Sequence, residues 1–163
     1  LSVFEYNMPI SDMVKRFKYR SFTHLAEPMA MLMVEAIELR GWSFDAVVPV
    51  PLHTKRLSLR GYNQAEYLAH SIGKMMGGKE VLGTALMRIR NTPSQIGMDR
   101  AERMWNLYNA FEVRQEDLVK DKTILLIDDV FTTGSTVDHC SSALLEAGAR
   151  EVYVATFATT IYH

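Results

Sequence analysis

Four consecutive apolar residues, Ile124, Leu125, Leu126 and Ile127, run without polar alternation. Such a run predicts a strand covered on both faces, as in a parallel sheet between two layers of helix. Downstream, Val137, Cys140, Leu144 and Leu145 recur at helical spacing and Gly148 stands where a helix would stop, which predicts one amphipathic helix over Ser135 to Ala147. Asp45 to Val50 reads as a second buried strand, beyond which Pro49 and Pro51 forbid regular pairing. Asn63 to Met76 reads as a helix with Ala65, Leu68, Ala69 and Ile72 on one side, stopped by Gly77 and Gly78.

The remaining elements are shorter. Ile10 to Phe17 predicts a short helix and Glu27 to Leu39 a longer one, with Pro28 tolerated in its first turn and Gly41 ending it; together they predict a helical hood over residues 1–40. A strand around Leu82 to Arg90, a polar connection to Asp99, a helix over Arg100 to Leu107, a short strand Ala110 to Val113 and a last strand Val152 to Ala158 complete the order. The alternation predicts an α/β fold: one domain over 1–163, in which a parallel sheet flanked by helices forms a core over 41–163.

The segment from Ile124 to Thr136 joins the first strand to its helix through the turn Val130 to Gly134. Open α/β sheets bind ligands at the carboxyl ends of strands, and the free N–H groups of a helix start attract anions. Gly134 permits a backbone angle or a close approach that a side chain would block, and Thr132, Thr133, Ser135 and Thr136 add hydroxyls around the same point. A phosphate suits this turn. Asp128 and Asp129 repel such an anion, so they accept hydrogen bonds from the hydroxyls of an attached sugar or hold a hydrated Mg²⁺.

ILLIDDVFTTGST resembles the phosphoribosyl pyrophosphate signature of the type I phosphoribosyltransferases. The resemblance implies that Asp128 and Asp129 hold the ribose 2′ and 3′ hydroxyls and that the threonine/glycine loop cradles the 5′-phosphate. VVPVPLHTKRLSLRGYNQAEYLA (Val47 to Ala69), RIRNTPSQIGMDRAERMWNLYNAF (Arg88 to Phe111) and KYRSFTHLAEPMA (Lys18 to Ala30) look like the ComF branch, linked to bacterial natural competence, so the likeness covers almost the whole chain. That branch implies a cysteine-rich, zinc-ribbon-like segment ahead of Leu1. It leaves open a competence-protein partner or a homodimer.

A second loop, rich in basic residues, follows the strand at Asp45 to Val50. Pro49 and Pro51 stiffen it, and Lys55, Arg56 and Arg60 come within reach of whatever lies beyond the strand's end, where a pyrophosphate suits them. In the superfamily this loop binds the leaving group, often through an unusual peptide geometry that exposes N–H groups, which implies backbone roles for Leu52, His53 and Thr54. His53 is open to a hydrogen-bonding or an acid/base role, since no partner carboxylate stands near it in sequence.

Asn91 to Arg103, polar and holding Pro93 and Gly97, has the anatomy of a lid; a solvated surface loop is the alternative. The resemblance favours the lid, with Thr92, Gln95 and Arg103 in it and Arg90 joining Asp128 and Asp129 as the catalytic set. The implied reaction displaces pyrophosphate from the anomeric carbon of the ribose with Mg²⁺. A hood of residues 1–40 would choose the acceptor, with Phe4, Tyr6, Phe17 and Tyr19 either stacking on it or filling the core. Two other readings stay open: a sensor that binds phosphoribosyl pyrophosphate or a nucleotide without turnover, and a factor that handles single-stranded DNA.

Composition narrows the field. At 163 residues, 48% hydrophobic and 23% charged, the chain suits one packed domain. A net charge of -1 gives no global attraction to nucleic acid, so any DNA affinity must come from local groups: Lys15, Arg16, Lys18 and Arg20; Lys55, Arg56 and Arg60; or Arg88, Arg90, Arg100 and Arg103. Cys140 is the single cysteine, which excludes an internal disulfide or a cysteine-ligated zinc within this sequence. Neither GxxxxGK[ST] nor GxGxxG occurs, which disfavours triphosphate hydrolysis and dinucleotide redox chemistry. No apolar run approaches the roughly 20 residues of a membrane span and no signal-peptide order opens the sequence, so a cytoplasmic protein is expected.

Overall fold

The computed structural model describes residues 1–19, 22–90 and 110–160. Its centre is β6 (Thr123–Phe131), in which Thr123 to Ile127 are all buried. On either side lie β7 (Glu151–Thr159) and β2 (Ala46–Pro49), both parallel to it. The edges are β1 (Ser2–Glu5) beside β7 and the two-residue β3 (Glu80–Val81) beside β2, giving a five-stranded parallel sheet in the order β1-β7-β6-β2-β3.

Strand alternation sorts the apolar run into two cores. Leu125 and Ile127 face a cluster with Val14, Phe17, Met33, Leu68 and Phe157, fed by α1 (Ile10–Tyr19), α2 (Ala26–Leu39) and α4 (Gln64–Met75). Ile124 and Leu126 face the other way, toward Val137, Cys140 and Leu144 of α6 (Ser135–Glu146) and toward a separate antiparallel pair, β4 (Leu86–Arg88) and β5 (Phe111–Val113). Both faces are therefore covered, as the unalternating run requires. Burying each of these side chains contributes roughly 1.5–3 kcal/mol, and a one-residue slip would drive Asp128 into the core, so the register of β6 is tightly fixed.

The hood helices are present, but residues 1–40 do more than cap the core. Ser2–Glu5 is a sheet strand that no hydrophobic pattern announces, because a four-residue edge strand has only mixed burial. The buried face of α2 packs on α4 and β7 within the main core. The stretch read as one strand over Leu82 to Arg90 is divided: β3 ends at Val81, Gly83 and Thr84 lie in a turn, and β4 begins at Leu86. Part of the loop after β2 is helical, as α3 (Thr54–Arg60), and a single turn, α5 (Glu116–Val119), precedes β6. The helix expected over Arg100 to Leu107 lies outside the described residues.

Asn63 joins two of these elements. Its Oδ1 accepts from the Ala65 N–H at 3.2 Å and caps α4, while its Nδ2 donates to the Val50 carbonyl at 3.0 Å and holds the end of β2. Gly73, inside α4, is a tight contact: a Cβ there would lie 2.7 Å from the Lys79 carbonyl oxygen and 3.0 Å from Val81 Cγ2. Helix propensity alone would make Gly73→Ala stabilising by about 0.5–1 kcal/mol, whereas overpacking against backbone costs about 1–3 kcal/mol. Crowding wins, and urea denaturation of Gly73→Ala is expected to show a lower midpoint than the native chain.

Candidate functional site

Beyond Ile127 the same alternation continues into polar residues and separates the two carboxylates. Asp128 follows Ile124 and Leu126 toward the side of α6 and β4; Asp129 follows Leu125 and Ile127 toward the side of α1. Asp129 is 5% exposed, and its Oδ1 lies 3.0 Å from Lys18 Nζ, one residue before the end of α1. Its buried Oδ2 has no hydrogen-bond partner among the described residues. The Asp129 N–H donates to Asp128 Oδ1 at 2.8 Å.

Burial, and then the neighbouring Asp129 carboxylate, push the Asp128 carboxyl up to about 7, against the pull of Lys18, the Asp129 N–H and Arg88. Burial acts to lower the Lys18 ammonium, but the Asp129 carboxylate and its hydrogen bond outweigh it and raise the group above a lysine's ordinary value. The pair is asymmetric: one acid is already neutralised by a lysine, the other waits for a donor or a cation.

A cleft of about 350 Å³ opens over these groups. Of the residues expected from sequence, Asp128, Asp129, Thr132, Thr136, Leu52, Arg56 and Arg60 line it. Thr133 and Ser135 stand beside it with their hydroxyls 3.2 Å apart. Gly134 heads α6 at φ +84°, and a Cβ on it would lie 3.0 Å from Phe131 Cζ, so both the backbone angle and the space require glycine.

His53 is the N-cap of α3: its Nδ1 accepts the Lys55 N–H at 3.2 Å. Thr54 and Lys55 line a different groove, with Ser58 and Leu59, because α3 turns them away from β6. The single cis peptide among the described residues, Met8–Pro9, lies outside this loop. Arg90 is exposed in the bend after β4 and does not line the cleft; the arginine that does is Arg88. Strand period accounts for this, since Arg88 shares a face with the buried Leu86 and β4 ends there. Thr92, Gln95 and Arg103, the expected lid residues, lie outside the described residues.

Two cleft residues were legible only as members of basic clusters. Lys18 and Arg88 sit 110 and 40 positions before Asp128, and only the packing of α1 and β4 brings them to it. The Arg88 guanidinium lies over the Phe111 ring at 5.4 Å, and burial first, then the nearby Arg56, lower it from an arginine's ordinary value. Arg60 donates to Gln64 Oε1 at 2.7 Å and lies over the Tyr19 ring at 5.1 Å. Four cations thus line one cleft with two carboxylates. Like charges gathered in this way favour an anionic ligand.

Because the folded Asp128 binds its proton up to about pH 7 while an unfolded aspartate releases it near pH 4, the folded protein loses stability as pH rises through that window. Asp128→Asn removes the titration. Its melting temperature relative to the native chain is expected to climb between pH 4 and 7 and level off above; a difference independent of pH would contradict the assigned burial.

The chain matches the model of the phosphoribosyl transferase domain over residues 68–161, which includes β6, its turn and α6. It is 30% identical to Competence protein F of Haemophilus influenzae across 91% of this chain and 67% of that protein. It is 33% identical to the DNA utilization protein YhgH of Salmonella typhi across 94% of this chain and 69% of the relative. Glutamine phosphoribosylpyrophosphate amidotransferase from B. subtilis, complexed with ADP and GMP, shares the fold with a TM-score of 0.57 at 17% identity, over 86% of this chain and 30% of that one. By sequence, fold and the arrangement at the end of β6, the chain belongs to the phosphoribosyl transferase domain family, in its ComF-type, competence-associated branch.

Proposed function

We propose that the cleft binds phosphoribosyl pyrophosphate with Mg²⁺ and that the protein transfers the phosphoribosyl group to an acceptor in the handling of incoming DNA. The observation that carries this reading is the pairing, in one cleft, of two carboxylates at the end of a buried strand with Arg56, Arg60 and Arg88. The acids answer the hydroxyls of a sugar and the arginines answer its phosphates. The relatives' names, Competence protein F and DNA utilization protein, support the cellular setting.

The 5′-phosphate belongs at the start of α6, where free N–H groups of a 12-residue helix meet Thr132, Thr133, Ser135 and Thr136 around the Gly134 turn. The ribose diol belongs to Asp128 and Asp129. The donor set fits a magnesium ion held only in part by protein. No group of three or more His, Cys, Asp or Glu residues among the described residues could close a shell, so Asp128 and Asp129 would hold the ion directly or through water, with phosphate oxygens completing it. When bound, Mg²⁺ neutralises charge on the pyrophosphate.

The chain's own residues supply the rest. Arg56, Arg60 and Arg88 stabilise the negative charge that the leaving pyrophosphate gathers as its bond to the anomeric carbon breaks. The Asp128 and Asp129 carboxylates favour the positive charge left on the sugar. No protein base is required for that bond to break, which agrees with His53 being occupied as a helix cap. No helix among the described residues is long and apolar enough to cross a membrane.

Two measurements test this reading. Phosphoribosyl pyrophosphate with Mg²⁺ is expected to raise the melting temperature of the native chain, and the double variant Asp128→Asn, Asp129→Asn is expected to lose that rise; an unchanged rise removes the ribose assignment. Arg56→Ala is expected to weaken phosphoribosyl pyrophosphate binding about tenfold by calorimetry, the loss of roughly one charge-assisted contact. Binding without pyrophosphate release toward any acceptor would identify a sensor instead of a transferase.

A further inference from the structure

A separate groove of about 480 Å³ runs along the outside of α4 and meets the first cleft only at Asn63, which lines both. It follows α4 from Asn63 to Ser71, about 12 Å at the rise of a helix, and is bounded by Leu57 and Gly61 at the end of α3. One carboxylate lines it, and among the described residues no lysine or arginine does. The first cleft is rich in cations; this one has the opposite sign.

The carboxylate belongs to Glu66. It is half-buried, and among the described residues its side chain makes no ion pair and no hydrogen bond. The turn between β3 and β4 lies against it, where a Cβ on Gly83 would come 3.2 Å from Glu66 Oε1. Beside it, Tyr62 and Tyr67 meet edge to face with their centroids 5.6 Å apart, and the Tyr62 hydroxyl is held on the Phe17 carbonyl, so the aromatic wall is fixed. Tyr67 is 42% and Leu57 40% exposed, which leaves ring and aliphatic chain open to a visitor.

A single uncompensated carboxylate beside tyrosine rings selects a cation. A metal ion is the poorer candidate, because no group of three or more His, Cys, Asp or Glu among the described residues could close a shell around it. A guanidinium fits better than an ammonium: it is planar, it stacks on a ring while its N–H fork meets the carboxylate, and it is more weakly hydrated. Its aliphatic stem suits Leu57. The groove also continues a full turn past Glu66 to His70 and Ser71, further than one guanidinium reaches, so the group comes attached to a chain. We infer that this groove docks an arginine side chain presented by a protein partner. The inference does not depend on the phosphoribosyl transfer proposed above.

The test titrates four probes into the isotope-labelled chain and follows its backbone amide resonances: a blocked tripeptide of alanine, arginine and alanine, its lysine and citrulline counterparts, and free arginine. Citrulline keeps the shape of arginine without the charge. The arginine tripeptide is expected to move resonances of α4 and the end of α3 and to bind about tenfold more tightly than the citrulline tripeptide, with lysine between them. Glu66→Gln, at a side chain without a partner to lose, is expected to bring arginine and citrulline within about twofold of each other. Tyr67→Leu is expected to weaken the arginine tripeptide about threefold and leave citrulline unchanged. Equal binding of arginine and citrulline, no binding of either, or a preference that survives Glu66→Gln overturns the inference. Free arginine binding as tightly as the tripeptide overturns the protein source, and a dimer seen by sedimentation velocity and lost in Glu66→Gln overturns it in favour of a second copy of this chain. Whether phosphoribosyl pyrophosphate binds is read separately from the melting temperature, so failure there leaves these outcomes intact.

Discussion

Everything at the candidate site depends on the register of β6. Four apolar residues locked between two helical layers determine where the strand becomes polar, and the period of two then sends adjacent aspartates to opposite sides of the sheet. That single constraint explains why one acid meets a lysine from α1 while the other is left beside an arginine from β4. Neither partner lies on the motif itself. The sheet creates the site by bringing an amino-terminal helix and a peripheral hairpin to the same strand end.

The opposite environments of the acids bear on what they can do. Asp129 arrives neutralised and buried, and Asp128 arrives half-buried and short of positive charge. A ligand rich in hydroxyl donors, or a cation carried in with phosphates, relieves Asp128 directly. The cluster of arginines works in the other direction, since their mutual repulsion is relieved by an anion. A compound that is both polyol and polyphosphate would relieve both at once, which is the electrostatic argument for the ligand proposed above.

The sheet was legible in the sequence where periodicity was strong. The run Ile124 to Ile127, the helix stops at Gly41, Gly77 and Gly148 and the last strand agree with the observed elements to within a residue or two. Two short elements left no signal: β1 has four residues and α3 seven, too few for a period to stand out. The motif residues Asp128, Asp129, Thr132 and Thr136 converge because they are local. Arg90 was chosen over Arg88 because spacing cannot show where a strand ends, and Lys18 could not be chosen because a contact across 110 residues is a property of packing. The assignment of Lys55 to the cleft failed for a related reason, since a loop that coils into a helix turns alternate charges outward.

The moorings of α1 have a consequence for how this architecture can vary. Its last turn is tied by the Tyr62 hydroxyl at the Phe17 carbonyl and by Gln64 Nε2 at the Lys18 carbonyl, 3.4 Å away, the first just before α4 and the second at its first residue. Asn63, between them, fastens that segment to the end of β2. The ammonium of Lys18 is thus anchored to the central scaffold at its own end of the helix and does not depend on the chain that follows it. Insertions or deletions between α1 and α2 can therefore reshape the outer rim of the molecule while leaving the counter-ion of Asp129 in place.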